Sequence, residues 1–183
     1  MPLECPSLKQ TLFAILVFFG GITSSFAQRV EIPETTVSFE PPAGFTALTR
    51  EEISAKYPRG SGPGFVVGNQ ARTTSIAYDI KPIAIGDKDL PELMAAFGDR
   101  FQKSIPGLVW KERKLIGMGG QRWVFLEMTS TAVDTDIHNI MVITPHAGKL
   151  LMFNFNSTRE EFADVEASLR GSIESITLGK LQE

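Results

Sequence analysis

The stretch Asp134–Val142, with the sequence DTDIHNIMV, holds the most concentrated candidate chemistry in the chain. Two carboxylates and one of only two histidines occupy alternate positions, at Asp134, Asp136 and His138. Alternate residues of a β-strand point to the same face, so Asp136 and His138 are predicted to share one side of a strand. A metal site, a catalytic cluster and the polar end of a hairpin would all use residues of these types.

The spacing of the two histidines argues against a metal site. His138 and His146 are eight residues apart, or about 26 Å along an extended strand, so they reach one ion only if the chain bends back sharply. The sequence contains no His-x-x-x-His, Glu-x-x-His or calcium-loop motif. We therefore expect no metal and no cofactor. The favoured interpretation is a hairpin end with a solvated histidine.

Nucleophilic catalysis has no sequence support either, because the chain contains no Gly-x-Ser-x-Gly elbow. The sequence therefore predicts no catalytic residue. In this interpretation Asp134 stabilises the hairpin turn through its side chain. Asp134, Asp136 and His138 remain candidates for a surface that contacts a partner.

A tetrapeptide, TREE, occurs twice, at Thr49–Glu52 and at Thr158–Glu161. Its paired glutamates could be taken for acid–base residues. However, a threonine followed three residues later by a glutamate is the pattern of a helix capping box. Both repeats are therefore predicted to start helices.

The N-terminal residues predict export. An unbroken apolar run, Leu12–Ile22, is followed by the small-residue stretch TSSFAQ, which is typical of a secretory signal peptide cleaved after Ala27. The run is shorter than the roughly 18 apolar residues that cross a bilayer. We expect residues 1–27 to be removed, residues 28–183 to form a single domain, and no stable membrane insertion to remain. The expected location is periplasmic or secreted.

The exported segment contains no cysteine, because Cys5 is the only one in the chain. This composition excludes disulfides, thiolate metal sites and cysteine nucleophiles. Glu4 and Lys9 cancel, so removing the signal leaves the net charge at −3. A charge of this sign and size is not typical of proteins that bind nucleic acid or anionic membranes.

Hydrophobic periodicity predicts a layered α+β domain. Helices are expected near Arg50–Tyr57, from about Asp89 to Ile105, and after Thr158. Two segments, FVVGN and TSIAYDIKPI, are expected to pair across a turn near Gln70. After Pro106, the segments LVWKERKLIGM, QRWVFLEMTST, DIHNIMVITP and KLLMFNFNS are joined by short connections and predict an antiparallel meander. The prediction is an antiparallel sheet of about six to seven strands flanked by helices.

The order of these elements resembles the PsbP-like superfamily. The resemblance rests on the entry VSFEPPAGFTAL, the helix TREEISAKYP, the segments SIPGLVW and GGQRWVFLEM, and the terminal helix, from about Val37 to Ile176. The superfamily includes lumenal photosystem accessory proteins, the Ran-binding Mog protein and bacterial envelope proteins of the DcrB type. The resemblance implies an α/β/α sandwich and a non-enzymatic role through protein contacts.

These observations favour an exported, non-catalytic accessory or binding protein of the bacterial cell envelope, whose partner is another envelope protein. Two alternatives stay open. One is a periplasmic immunity or chaperone-like protein that acts against a secreted toxin. The other is a hydrolase whose site assembles only in three dimensions, for which a pocket gathering Asp136, His138 and further carboxylates would be the sign. The sequence does not indicate the oligomeric state.

The export hypothesis predicts a mature N-terminus at Gln28, because cleavage follows the small residues Ser25 and Ala27. Intact-mass measurement of the protein from the periplasmic fraction tests this prediction. Recovery of the full-length chain in the membrane fraction would contradict it.

Overall fold

The computed structural model describes residues 28–58, 62–132 and 135–179. The predicted signal peptide and its cleavage point therefore lie outside the described residues, as does Asp134. The structure contains three α-helices, α1 (Arg50–Lys56), α2 (Leu90–Ser104) and α3 (Phe162–Glu174). A 3₁₀ turn at Asp87–Asp89 leads into α2.

Ten strands accompany the three helices in the described part of the chain. They are β1 (Val30–Glu31), β2 (Val37–Phe39), β3 (Thr46–Ala47), β4 (Phe65–Gly68), β5 (Thr74–Lys81), β6 (Val109–Met118), β7 (Gln121–Thr131), β8 (Asp136–His146), β9 (Lys149–Thr158) and β10 (Thr177–Leu178). The α+β class predicted from the sequence is confirmed.

The predicted meander forms most of a seven-stranded sheet. Strands β6 to β9 follow one another as antiparallel neighbours, and β5 joins β9 to give the order β3-β4-β5-β9-β8-β7-β6. The predicted pairing of FVVGN with TSIAYDIKPI is also confirmed, since β4 and β5 are antiparallel neighbours. Strand β6 lies at one end of this order, so it pairs with β7 and, within the described residues, has an open second edge.

The sheet has a hydrophobic core on each face. Strand β7 shows the arrangement most clearly, because Trp123 and Phe125 belong to one core and Val124 and Leu126 to the other. Helix α3 covers the first core, and helix α2 covers the second. The result is the expected layer order of helix, sheet and helix.

The two TREE repeats behave differently. At the first repeat, the Thr49 hydroxyl accepts from the Glu52 amide and the Glu52 carboxylate accepts from the Thr49 amide, which confirms the capping box. The second repeat forms only half of a box. The Thr158 hydroxyl accepts from the Glu161 amide at 3.4 Å, but Thr158 ends β9 and α3 begins only at Phe162, so the prediction of a complete box is wrong. The Glu161 carboxylate accepts instead from the hydroxyls of Thr73 and of Thr74 at the start of β5.

A small sheet of order β1-β2-β10 was not predicted. Its strands have only two or three residues, which is too short for an alternating pattern to be recognised. Arg29 ties this sheet together, because its guanidinium donates to the side chains of Ser38, Thr177 and Glu40. The small sheet therefore joins the two ends of the described chain.

Packing of α3 on the sheet predicts a large cost for Leu169→Ala. Leu169 is fully buried in the core between α3 and the sheet, so removal of its side chain leaves a cavity. We expect a loss of about 2–5 kcal/mol in the free energy of unfolding, measured by denaturant titration. The neighbouring Ser168 is exposed, and Ser168→Ala should change that free energy by less than about 0.5 kcal/mol. Equal effects of the two substitutions would contradict the packing described here.

Candidate functional site

The opening motif lies at the start of β8, and its two candidate residues that the structure describes, Asp136 and His138, have different surroundings. Asp136 is at the hairpin end, where its carboxylate accepts from the Thr131 hydroxyl (3.1 Å) and from the Arg159 guanidinium (3.2 Å). His138 is only 8% exposed. The hairpin end is as expected, but the expectation of a solvated histidine is wrong. His138 is buried because α3 covers this end of the sheet.

The burial of His138 depends on two residues that the sequence did not single out. Its Nε2 lies 2.8 Å from Oε1 of Glu127, which is itself 7% exposed on the neighbouring strand β7. Its ring stacks on Phe162 at the start of α3, with ring centroids 3.4 Å apart and an interplanar angle of 4°. An ionised carboxylate only accepts hydrogen bonds, so the contact with Glu127 places a proton on Nε2.

Arg170 connects this buried pair to α3 and to solvent. Its guanidinium donates to both carboxylate oxygens of Glu127, at 3.2 and 3.0 Å, and to Glu166 one turn earlier in the helix at 2.8 Å. Burial alone would lower the pKa of Arg170, but the hydrogen bonds to Glu166 and Glu127 and the charges of these carboxylates raise it above its ordinary value. Glu127, His138, Arg170 and Glu166 together are called the ionic cluster.

A row of buried polar side chains crosses the sheet beside the ionic cluster. Thr129, His138, Ser157 and Thr74 are direct cross-strand neighbours on β7, β8, β9 and β5, and each is at most 8% exposed. The hydroxyls of Thr74 and Ser157 are 2.9 Å apart, and Thr74 also donates to Glu161 at 3.2 Å. Glu161, just before α3, thus accepts a hydrogen bond from one end of the row, and Phe162, the first residue of α3, covers His138.

The paired Glu127 and His138 have the geometry of the carboxylate and histidine of a catalytic triad. Such a pair also needs an accessible hydroxyl and room for a substrate. The two cross-strand hydroxyls, those of Thr129 and Ser157, belong to buried residues, and Phe162 covers the imidazole face. The contacts of the ionic cluster therefore act to fasten α3 to the sheet.

Within the described residues, the structure contains no set of side chains that could bind a metal ion. His146 lies at the opposite end of β8, where burial lowers the pKa of its imidazole and its Nε2 is 3.4 Å from the Thr36 hydroxyl. Across the described ranges, no three or more side chains of His, Cys, Asp or Glu are grouped as ligands would be. His138 and His146 are held at different points of the same strand, eight residues apart.

An open groove lies between β6 and α3, on the same face as the ionic cluster. It has a volume of about 240 Å³, and its apolar side chains are Ile116 and Met118 from β6, Phe125 from β7 and Ile173 from α3. Neither Asp136 nor His138 lines it. This groove is therefore not the pocket gathering Asp136, His138 and further carboxylates that the hydrolase alternative requires.

The rim of this groove is charged. Lys114 from β6 and Arg170 and Glu174 from α3 line it together with the backbone at Gly117. The Lys114 amine lies 5.2 Å from the centre of the Phe125 ring and 2.9 Å from the Glu112 carboxylate. The groove therefore combines an apolar floor with exposed ionic groups, a composition common in protein–protein contact surfaces.

Comparison of sequences alone identifies no relative: no model of a protein family matches the chain, and no curated protein matches it. Comparison of structures gives clear matches. The solution structure of cyanobacterial PsbP (CyanoP) from Synechocystis sp. PCC 6803 is 17% identical and superimposes with a TM-score of 0.58, covering 87% of this chain and 96% of that one.

Two further structures share the fold. PA94, a protein of unknown function from Pseudomonas aeruginosa, is 15% identical, with a TM-score of 0.51 over 85% of this chain and 98% of that chain. LpqN of Mycobacterium tuberculosis, described as involved in cell envelope biogenesis, is 15% identical, with a TM-score of 0.53 over 82% and 88%. The PsbP-like fold expected from the element order is confirmed.

The ionic cluster predicts that Glu127→Gln destabilises the protein. The substitution keeps the shape of the side chain but removes its charge, so the buried His138 and the Arg170 guanidinium lose their ionic acceptor. We expect a loss of about 1–3 kcal/mol in the free energy of unfolding. Glu112 is the direct cross-strand neighbour of Glu127 but is exposed, so Glu112→Gln is a matched control that should cost less than about 0.5 kcal/mol.

Proposed function

We propose that this protein is an exported, non-catalytic accessory or binding protein of the bacterial cell envelope that acts through contacts with another protein. The observation that carries the proposal is the groove between β6 and α3, which is open to solvent and apolar at its floor. In the ionic cluster, by contrast, Phe162 covers the His138 ring, and Glu127 is paired with His138 and Arg170. The exposed apolar and charged groups of the groove are therefore suited to binding another protein.

The proposed location rests on the N-terminal sequence. The apolar run Leu12–Ile22 and the small residues that follow it are typical of a secretory signal. Among the residues with a described structure, no helix has the length and hydrophobicity needed to span a bilayer. The described envelope role of LpqN, which has the same fold, supports the same assignment.

The shape of the groove favours a protein segment over a small-molecule substrate. Small-molecule sites usually enclose most of their ligand, within a volume of about 300–1,000 Å³. This groove has about 240 Å³ and is bounded on one side by a strand whose outer edge is open in the described part of the chain. An extended segment of another protein can lie along such an edge and place side chains in the groove.

Site-specific photo-crosslinking in the living cell tests the proposed function. Glu174 lines the groove from the end of α3 and is exposed, so a benzoylphenylalanine at this position faces the groove without entering the core. We expect a discrete adduct with one envelope protein. The same residue at the exposed Lys88, at the beginning of the α2 layer, is the matched control and should give no such adduct.

The outcome that would contradict the proposal is the absence of an adduct at position 174 when the variant protein is exported and folded. Equal adducts at positions 174 and 88 would also contradict it, because they would indicate random encounters. Folding of both variants is checked by thermal unfolding before irradiation.

A further inference from the structure

Strand β6, which forms one wall of the groove, also has an outer edge that is open in the described part of the chain. Strand β6 has ten residues and, among the described strands, pairs only with β7. The pairing register shifts between Trp110 and Glu112, which marks a bulge at Lys111. Beyond the bulge, the seven residues from Glu112 to Met118 pair regularly with β7. Alternate backbone N–H and C=O groups of this segment point away from β7 and are available to another strand.

We propose that the segment Glu112–Met118 binds an extended, acidic segment of the partner protein as an additional antiparallel or parallel strand. This inference rests on the proposed function and specifies the chemistry of the partner. Strand addition to an open sheet edge gives affinity through main-chain hydrogen bonds, and side-chain pockets beside the edge give selectivity. Here the groove between β6 and α3 is the pocket that receives alternate side chains.

The register of β6 determines what each face of the added strand meets. Lys114 and Ile116 are cross-strand neighbours of Phe125 and Trp123, so they point to the α3 side, where the groove lies. Arg113 pairs with Leu126 and points to the α2 side. An added strand would therefore place every second side chain beside Lys114 and the apolar groove, and the others beside Arg113.

The charge of β6 favours an acidic segment as the added strand. Strand β6 contains three cations, Lys111, Arg113 and Lys114, and one anion, Glu112, so it carries a charge of +2 on a chain whose net charge is −3. All four side chains are exposed. The pairing of Lys114 with Glu112 is a surface ion pair of little energy, so an incoming carboxylate can compete for the lysine.

The same charges disfavour a second copy of this chain as the occupant. Edge pairing between two copies would bring two strands of charge +2 within one strand spacing, about 4.8 Å. Lysine on an edge strand is a common means of preventing such self-association. An acidic strand would turn this repulsion into attraction, so the charges that exclude a second copy favour an acidic partner.

Arg113 is held in place before any partner arrives. Its guanidinium carbon lies 5.0 Å from the centre of the Trp110 ring, a cation–π distance. Its NH1 atom occupies the space beside Gly98 of α2, where a Cβ atom would come within 2.5 Å of it. A cation fixed in this way loses less conformational entropy on binding than a mobile one.

Synthetic peptides and the purified protein test the inference by fluorescence anisotropy at low ionic strength. We expect a labelled seven-residue peptide of alternating glutamate and valine to bind about tenfold more tightly than its lysine–valine counterpart. Lys114→Glu should weaken binding of the acidic peptide about fivefold. The charge-matched control Lys88→Glu should change it by less than about twofold.

Two N-methylated forms of the acidic peptide distinguish strand addition from charge attraction alone. An added strand uses only every second N–H to bond β6. Methylation of one alternate set should therefore abolish binding, and methylation of the other set should not. Equal behaviour of the two sets would overturn the proposal, as would equal binding of the acidic and basic peptides.

Sedimentation supplies the test for a second copy, since a concentration-dependent dimer that Lys114→Glu abolishes would also overturn the proposal.

The failure of this inference can be told from the failure of the proposed function. If no acidic peptide binds while the adduct at position 174 still forms, strand addition by an acidic segment is wrong and the role in protein binding stands. If the peptides bind as expected and no adduct forms, the proposed function is the part that fails.

Discussion

The structure depends on the burial of β7 on both of its faces. Seven consecutive residues of this strand, Trp123–Thr129, are buried. A strand of an antiparallel sheet usually has one face in contact with solvent, but continuous burial requires a layer on each side. Helices α2 and α3 supply those layers, and the meander that contains β7 fixes where each helix can pack. The α/β/α arrangement follows from this requirement.

One ionisable residue, Glu127, lies inside this buried stretch. Burial of a carboxylate is costly unless a cation and further hydrogen bonds compensate for lost hydration. Arg170 and His138 provide these partners, but only when α3 sits in one position along the sheet. A purely apolar contact would allow α3 to shift more easily than this directional set of bonds does. We infer that the ionic cluster specifies the position of α3 more than it adds to stability.

The elements that could be predicted from the sequence are those whose pattern is local. The strands of the meander are ten or eleven residues long and are separated by recognisable turns, and the cap at Thr49 needs only its own first turn. The burial of His138 could not be predicted, because Phe162 reaches it from a different element. The burial of Glu127 was partly predictable, since Glu127 alternates with Trp123 and Phe125 in the sequence and so shares their face of the strand.

The remaining differences between prediction and structure have the same physical origin. At the second TREE repeat, the Glu161 carboxylate bonds to Thr73 and Thr74, which are distant in the chain, and not to the Thr158 amide. The small sheet depends on partners far apart in the chain, in strands too short to show a period. In each case a tertiary contact decides the structure, and no single segment of sequence contains both members of that contact.

The small sheet has a consequence for the order in which the molecule folds. Its pairing of Ser38 with Thr177 closes a loop that contains the whole seven-stranded sheet. Contacts between residues so distant in the chain form late, because closing a long loop costs entropy before any contact compensates for it. The meander, with its short hairpins, can form first. The two-residue strands at the chain ends would then act as a latch that closes on a finished core.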